Sequence, residues 1–111
     1  MTERSLSVPH DLHSRIQADV TDNAVVLYMK GTPAAPACGF SSLVCQILLK
    51  LNIPFVSRNV LEDLELRQGI KDFTNWPTIP QLYIHGEFVG GCDIVKDMYT
   101  SGELQALFAK K

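Results

Sequence analysis

Sulfur is the element most able to do chemistry in this chain. Its three cysteines, Cys38, Cys45 and Cys92, have neither the dense even spacing of a disulfide framework nor partners at zinc-ligand spacing. Cys38 opens the tetrapeptide Cys38-Gly39-Phe40-Ser41, after an apolar run and at the start of an expected helix. Unpaired N–H groups and the helix dipole favour negative charge at that position. The thiol should therefore ionise more readily than a free cysteine and serve as nucleophile or metal ligand. A buried structural cysteine is the plainer alternative; the Pro-rich approach and the helix-start placement weigh against it.

A dithiol oxidoreductase would carry a second cysteine three residues on, where this chain has Ser41. A hydroxyl cannot attack a mixed disulfide. A thiol must then come from solution, or Cys38 serves a purpose other than disulfide exchange. Cys45 lies seven residues along the helix, a rise of ~10.5 Å, whereas a disulfide needs Cα atoms within about 7 Å. It is read as a small core residue. Cys92 follows Gly90-Gly91 at another helix start and is free to approach the same cleft if the two helix N-termini converge. His10, His13 and His85 have no cysteine or acidic partner at ligand spacing and are read as solvated.

The elements that must position Cys38 follow from periodicity. Leu12, Ile16 and Val20 recur every four residues, with Pro9 in the first turn, and predict an amphipathic helix ending near Thr21–Asn23. Ala24–Met29 is a short apolar run bounded by turn residues, the pattern of a strand buried on both faces. Gly31–Pro36 holds two prolines and is expected to be irregular, leading to a helix from about Cys38 to Leu51. Pro54–Asn59 reads as a second strand, which completes a parallel βαβ unit. Leu61–Phe73 has roughly helical spacing weakened by Gly69. Gln81–Ile84 and Phe88–Val89 around His85-Gly86-Glu87 predict an antiparallel hairpin, followed by helices over Asp93–Tyr99 and Gly102–Phe108. The order implies an α/β thioredoxin arrangement: a four-stranded mixed sheet, with helices on both faces.

Composition limits the functions available. The 111 residues suit one domain; 46% are hydrophobic and 20% charged, as in folded globular proteins. The net charge of -2 and the lack of a basic stretch argue against a nucleic-acid binder. The apolar runs stop well short of the ~20 residues needed to cross a bilayer. Glu3, Asp11 and Asp19, with no apolar secretory core, argue against a signal peptide and an intact mitochondrial presequence; an earlier-removed presequence stays open.

Four separated segments coincide with one family: Lys30-Gly-Thr-Pro-Ala-Ala-Pro-Ala-Cys-Gly-Phe-Ser41, Arg67-Gln-Gly-Ile-Lys71, Trp76-Pro-Thr-Ile-Pro-Gln81 and Gly86-Glu-Phe-Val-Gly-Gly-Cys-Asp-Ile94. Together they resemble a single-domain monothiol glutaredoxin of the Cys-Gly-Phe-Ser class, mitochondrial or bacterial in type. The resemblance covers residues 24–108, with residues 1–23 as an N-terminal extension and first helix of one domain spanning 1–111.

This resemblance implies glutathione held in a groove. Lys30 and Arg67 would clamp its glycine carboxylate, although each taken alone is equally a solvated cation. Pro80 is similar to the family's cis-proline, which would turn the Ile79 backbone outward to pair with the ligand's peptide. The amides of Cys92 and Asp93, with the Asp93 side chain, would receive the γ-glutamyl end. Phe40 would shield the thiol pocket, and Trp76 would orient the Thr78-Ile79-Pro80 segment.

A 2Fe-2S cluster needs four thiolate-class ligands, and this chain offers one exposed candidate. Two Cys38 thiolates plus two glutathione thiols make four, so stoichiometry and resemblance both imply a cluster-bridged homodimer that is a monomer when apo. The expected role is carriage of the cluster to recipient iron-sulfur proteins, in the mitochondrial matrix or a bacterial cytoplasm. The main alternative is a glutathione-dependent oxidoreductase acting on glutathionylated proteins. A third is an interaction module sensing redox state through a Cys38–Cys92 disulfide.

Overall fold

Val25–Met29 forms β1, and all five of its side chains are buried, because it runs through the centre of the sheet with a helical layer on each face. The computed structural model describes residues 8–109. In chain order the elements are α1 (Val8–Asp22), β1, α2 (Gly39–Lys50), β2 (Val56–Asn59), α3 (Leu64–Thr74), β3 (Gln81–Ile84), β4 (Glu87–Gly90), α4 (Cys92–Ser101) and α5 (Glu103–Ala109). The sheet order is β2-β1-β3-β4. β1 pairs parallel with β2, and β3 runs antiparallel to both β1 and β4. This is the expected four-stranded mixed sheet.

Alternation along β1 divides the core in two. Val25, Leu27 and Met29 face one cluster with Val44, Leu48, Val95 and Leu104 from α2, α4 and α5. Val26 and Tyr28 face the other, with Ile16 and Val20 from α1 and Leu66 and Ile70 from α3. Among the described residues, no helix is long and apolar enough to cross a membrane.

Several boundaries differ from the expected ones for local reasons. β2 begins at Val56 rather than Pro54, since pairing starts opposite Val26. α3 starts at Leu64 rather than Leu61: the Asp63 carboxylate accepts the Leu66 N–H at 3.0 Å as its N-cap, and Asn59 holds the preceding turn by accepting the Leu61 N–H. The hairpin turn is only His85-Gly86, both with positive φ, so Glu87 already belongs to β4. Gly31–Pro36 is irregular but tightly folded, with a bridge between Gly31 and Pro36 and the Ala37 N–H donating to the Lys30 carbonyl. At Gly31, φ is +90 and a Cβ would lie 2.6 Å from the Ala35 carbonyl oxygen.

Gly69, which lowers the helix propensity of α3 by about 1 kcal/mol relative to Ala, has a packing reason. A Cβ there would lie 2.9 Å from Leu12 Cγ and 3.6 Å from Ile16 Cδ1. α1 is also tied to the sheet by a polar cluster. Arg58 donates to both Asp19 oxygens, at 3.0 and 2.7 Å, and Tyr28 Oη donates to Asp19 Oδ2 at 2.6 Å.

Candidate functional site

The two prolines of the loop after β1 end regular pairing and deliver the chain to α2, with Cys38 as its N-cap in extended conformation (φ -151, ψ 135). The thiol is partly exposed. Its pKa is lowered, chiefly by the Ser41 backbone N–H; burial opposes this, while the Phe40 N–H, the Lys30 charge and the Ser41 hydroxyl reinforce it. These are the unpaired donors of a helix start directed at a sulfur anion.

The other two thiols contrast with it. Cys45 is 1% exposed, its Sγ lies 3.9 Å from Met29 Sδ, and burial raises its pKa. Cys92 begins α4 and is partly exposed; burial is the largest cause of its raised pKa, and the charges of Asp93 and Cys38 add to it. All three are free.

A groove of about 670 Å³ opens over Cys38, within the size range of small-ligand sites. Lys30, Cys38 and Phe40 form one side, and the segment Trp76–Pro80 forms another, with Gly91–Ile94 beyond it. Of the residues that the family resemblance implies for glutathione, all line this groove except Arg67. Lys71, which sequence reasoning did not single out, does line it, one helical turn after Arg67 on α3. Phe40 is 62% exposed on the rim. Cys38 and Cys92, whose proximity the sequence left open, share the groove.

The wall formed by Trp76–Pro80 is held from beneath. The Ile79–Pro80 peptide is cis. Gln81, fully buried, donates from Nε2 to the carbonyls of Trp76 (3.1 Å) and Thr78 (3.2 Å) and accepts from Tyr83 Oη at 3.1 Å. Trp76 packs its ring on Phe88 with centroids 5.6 Å apart. Its buried Nε1 has no hydrogen-bond partner among the described residues. A Cβ on Gly91 would come within 3.2 Å of the Pro80 carbonyl and 3.3 Å of Trp76 Nε1, so the start of α4 packs closely on this wall.

Among the described residues, no three His, Cys, Asp or Glu side chains gather as a metal-binding group. His85 is exposed on its turn, and His13 is exposed but stacks its ring 4.9 Å from that of Phe73; the His10 side chain lies outside the described residues. Of the three thiols, only Cys38 combines partial exposure with a lowered pKa.

The family model described as glutaredoxin matches residues 25–89. An uncharacterised monothiol glutaredoxin, ycf64-like, of Synechocystis is 56% identical over 94 residues, covering 85% of this chain and 88% of the relative. Monothiol glutaredoxin-S15, mitochondrial, of Arabidopsis thaliana is 52% identical over 90 residues, covering 81% of this chain; the match spans only about half, 53%, of that relative's length. The solution structure of a reduced, apo poplar glutaredoxin superposes with a TM-score of 0.78 at 56% identity, covering 89% of this chain and 91% of that one. With this fold, this groove and these likenesses, the chain belongs to the glutaredoxin family and stands with its monothiol members.

Proposed function

We propose that this protein binds a 2Fe-2S cluster as cargo, held by Cys38 and glutathione, and delivers it to recipient iron-sulfur proteins. The observation that carries this reading is the pairing of one low-pKa, groove-facing thiol with a serine three residues on. Ser41 is fully buried, and its Oγ accepts the Lys30 N–H at 3.1 Å. The donor set fits the cargo only in part: one thiolate per chain, where four ligands are needed. Two copies of Cys38 and two glutathione thiols complete the set, so the loaded form is a homodimer and the unloaded one a monomer. Half of the ligands are then exchangeable, which suits hand-over to another protein.

The groove suits glutathione chemically. Lys30, with Lys71 and Arg67 from α3, holds the glycine carboxylate, a task matched to fixed positive charge. The backbone of Ile79, between Thr78 and Pro80, pairs with the cysteinyl peptide, and the first amides of α4 at Cys92 and Asp93 receive the γ-glutamyl end. Phe40 covers the sulfur from the rim. Mitochondrial and cyanobacterial relatives support a mitochondrial matrix or bacterial location.

Anaerobic reconstitution with iron, sulfide and glutathione tests the reading. Visible charge-transfer absorption on a species of twice the monomer mass is expected, absent when glutathione is omitted and in Cys38→Ser. No absorption, or a cluster retained by Cys38→Ser, rejects it. The same thiol, with its lowered pKa, also suits attack on glutathionylated proteins, with a second glutathione resolving the adduct. High turnover in a mixed-disulfide assay, without cluster binding, selects that second reading.

A further inference from the structure

The helix that carries Arg67 and Lys71 is gripped from its far side. α1 lies antiparallel along α3 and touches it at three levels. Arg15 Nη2 reaches Asp63, the N-cap of α3, at 3.3 Å; Leu12 and Ile16 fill the notch at Gly69; His13 stacks on Phe73 in the last turn. α1 is in turn anchored to the sheet by the paired Asp19–Arg58 bonds. At 100° per residue, Arg67 and Lys71, each two residues from Gly69, both project about 200° around the helix from it. The face of α3 that meets α1 is therefore opposite the face that carries the two cations. Lys71 reaches the groove, and α1 precedes residues 25–89, where the family model matches.

The geometry points to Leu12 and Gly69 as a positioning pair for ligand binding: by seating in the Gly69 notch, Leu12 sets how far α3, and with it Lys71 and Arg67, advances toward the groove. This rests on the reading that these cations hold the glycine carboxylate of glutathione. Charge-assisted bonds depend steeply on distance and direction, so a small displacement of α3 changes recognition of that carboxylate while leaving the rest of the groove intact.

The test compares two exchange equilibria. The Cys38 thiolate attacks one sulfur of glutathione disulfide; that S–S bond breaks, a Cys38–glutathione disulfide forms, and glutathione leaves as its thiolate. The second equilibrium uses the disulfide of the glycinamide analogue of glutathione, which keeps both peptide bonds and replaces only the glycine carboxylate by a neutral amide. Intact-mass spectrometry gives both constants, and their ratio isolates the glycine carboxylate because both draw on the same folded population. In the native protein the ratio favours glutathione by roughly tenfold or more, as for one charge-assisted bond. Gly69→Ala, which pushes on Leu12, lowers that ratio about three- to tenfold, and the double variant Leu12→Ala with Gly69→Ala restores it. Leu12→Ala alone, at a partly exposed site, lowers the ratio in the same direction and serves if Gly69→Ala does not fold. A native ratio of one rejects the clamp reading itself. A native preference that survives unchanged in Gly69→Ala or Leu12→Ala rejects the positioning role alone.

Discussion

The hydroxyl of Ser41 accepts the backbone N–H of Lys30 at 3.1 Å, tying the first turn of α2 to the end of β1 with a side chain that solvent does not reach. Ser41 also supports the Cys38 anion through its own N–H and hydroxyl. Ser41→Ala removes the acceptor and leaves a part-buried N–H unpaired. Destabilisation of about 1–3 kcal/mol in urea unfolding is expected, together with a rise in the Cys38 pKa. An unchanged titration of Cys38 would show that the hydroxyl has no part in holding the anion.

Alkylation by iodoacetamide should follow the pKa order of the thiols. Cys38 is depressed, whereas Cys92 and Cys45 are raised by burial, so at neutral pH Cys38 holds the largest thiolate fraction. Peptide mapping after brief labelling is expected to show Cys38 modified first and Cys45 last. The pH–rate midpoint for Cys38 should fall below that of an unstructured peptide. Its depressed native pKa also adds stability that is complete above the unfolded thiol pKa and disappears as pH falls through the native value.

Asp19 couples α1 to the sheet. Burial opposes its ionisation, but the hydrogen bonds from Arg58 and Tyr28 outweigh that and hold its pKa below the usual carboxylate range. The resulting stability is present above about pH 4, the unfolded carboxylate value, and is lost as pH falls through the lowered native pKa. Asp19→Asn should therefore be less stable at pH 7 and show a flatter loss in acid. The cost should be about 2 kcal/mol, less than the roughly 3–5 kcal/mol of a fully buried pair, because Arg58 is 41% exposed. Equal acid slopes in the two proteins would remove Asp19 from the account.

Trp76 is the sole tryptophan, so its emission reports on the groove wall. Gly91→Ala places a methyl group 3.2 Å from the Pro80 carbonyl and 3.3 Å from the indole nitrogen, close enough to press the start of α4 and that wall apart by a few tenths of an ångström. A shifted emission maximum and an affinity for glutathione weakened about tenfold are expected, since the groove's two halves meet there. An unaltered spectrum with native affinity would mean the wall yields freely.

Much of this arrangement was legible from local pattern. The unbroken apolar run of β1 announced a central strand, and the proline-bearing loop announced where α2 would start and hence where Cys38 would sit. What escaped was long-range. Lys71 on a mixed, charged helix looks like any solvated lysine until the notch at Gly69 fixes which face turns to α1. Arg67 belongs to a matching motif, yet it stands one turn short of the groove lining. Asp19 and Arg58 are 39 positions apart, and nothing near either announces the other. Helix and strand ends moved by one to three residues because capping by Asp63 and turn-holding by Asn59 are side-chain decisions that hydrophobic periodicity does not register.

Gln81 satisfies its amide by gripping two carbonyls of the segment above it. That segment cannot swing without breaking both bonds to a fully buried amide, so it stands ready-shaped before any guest arrives. Association then demands little ordering of the host, and the freedom surrendered is mainly that of the incoming peptide. A cradle held rigid in this way spends little of its binding strength on its own ordering.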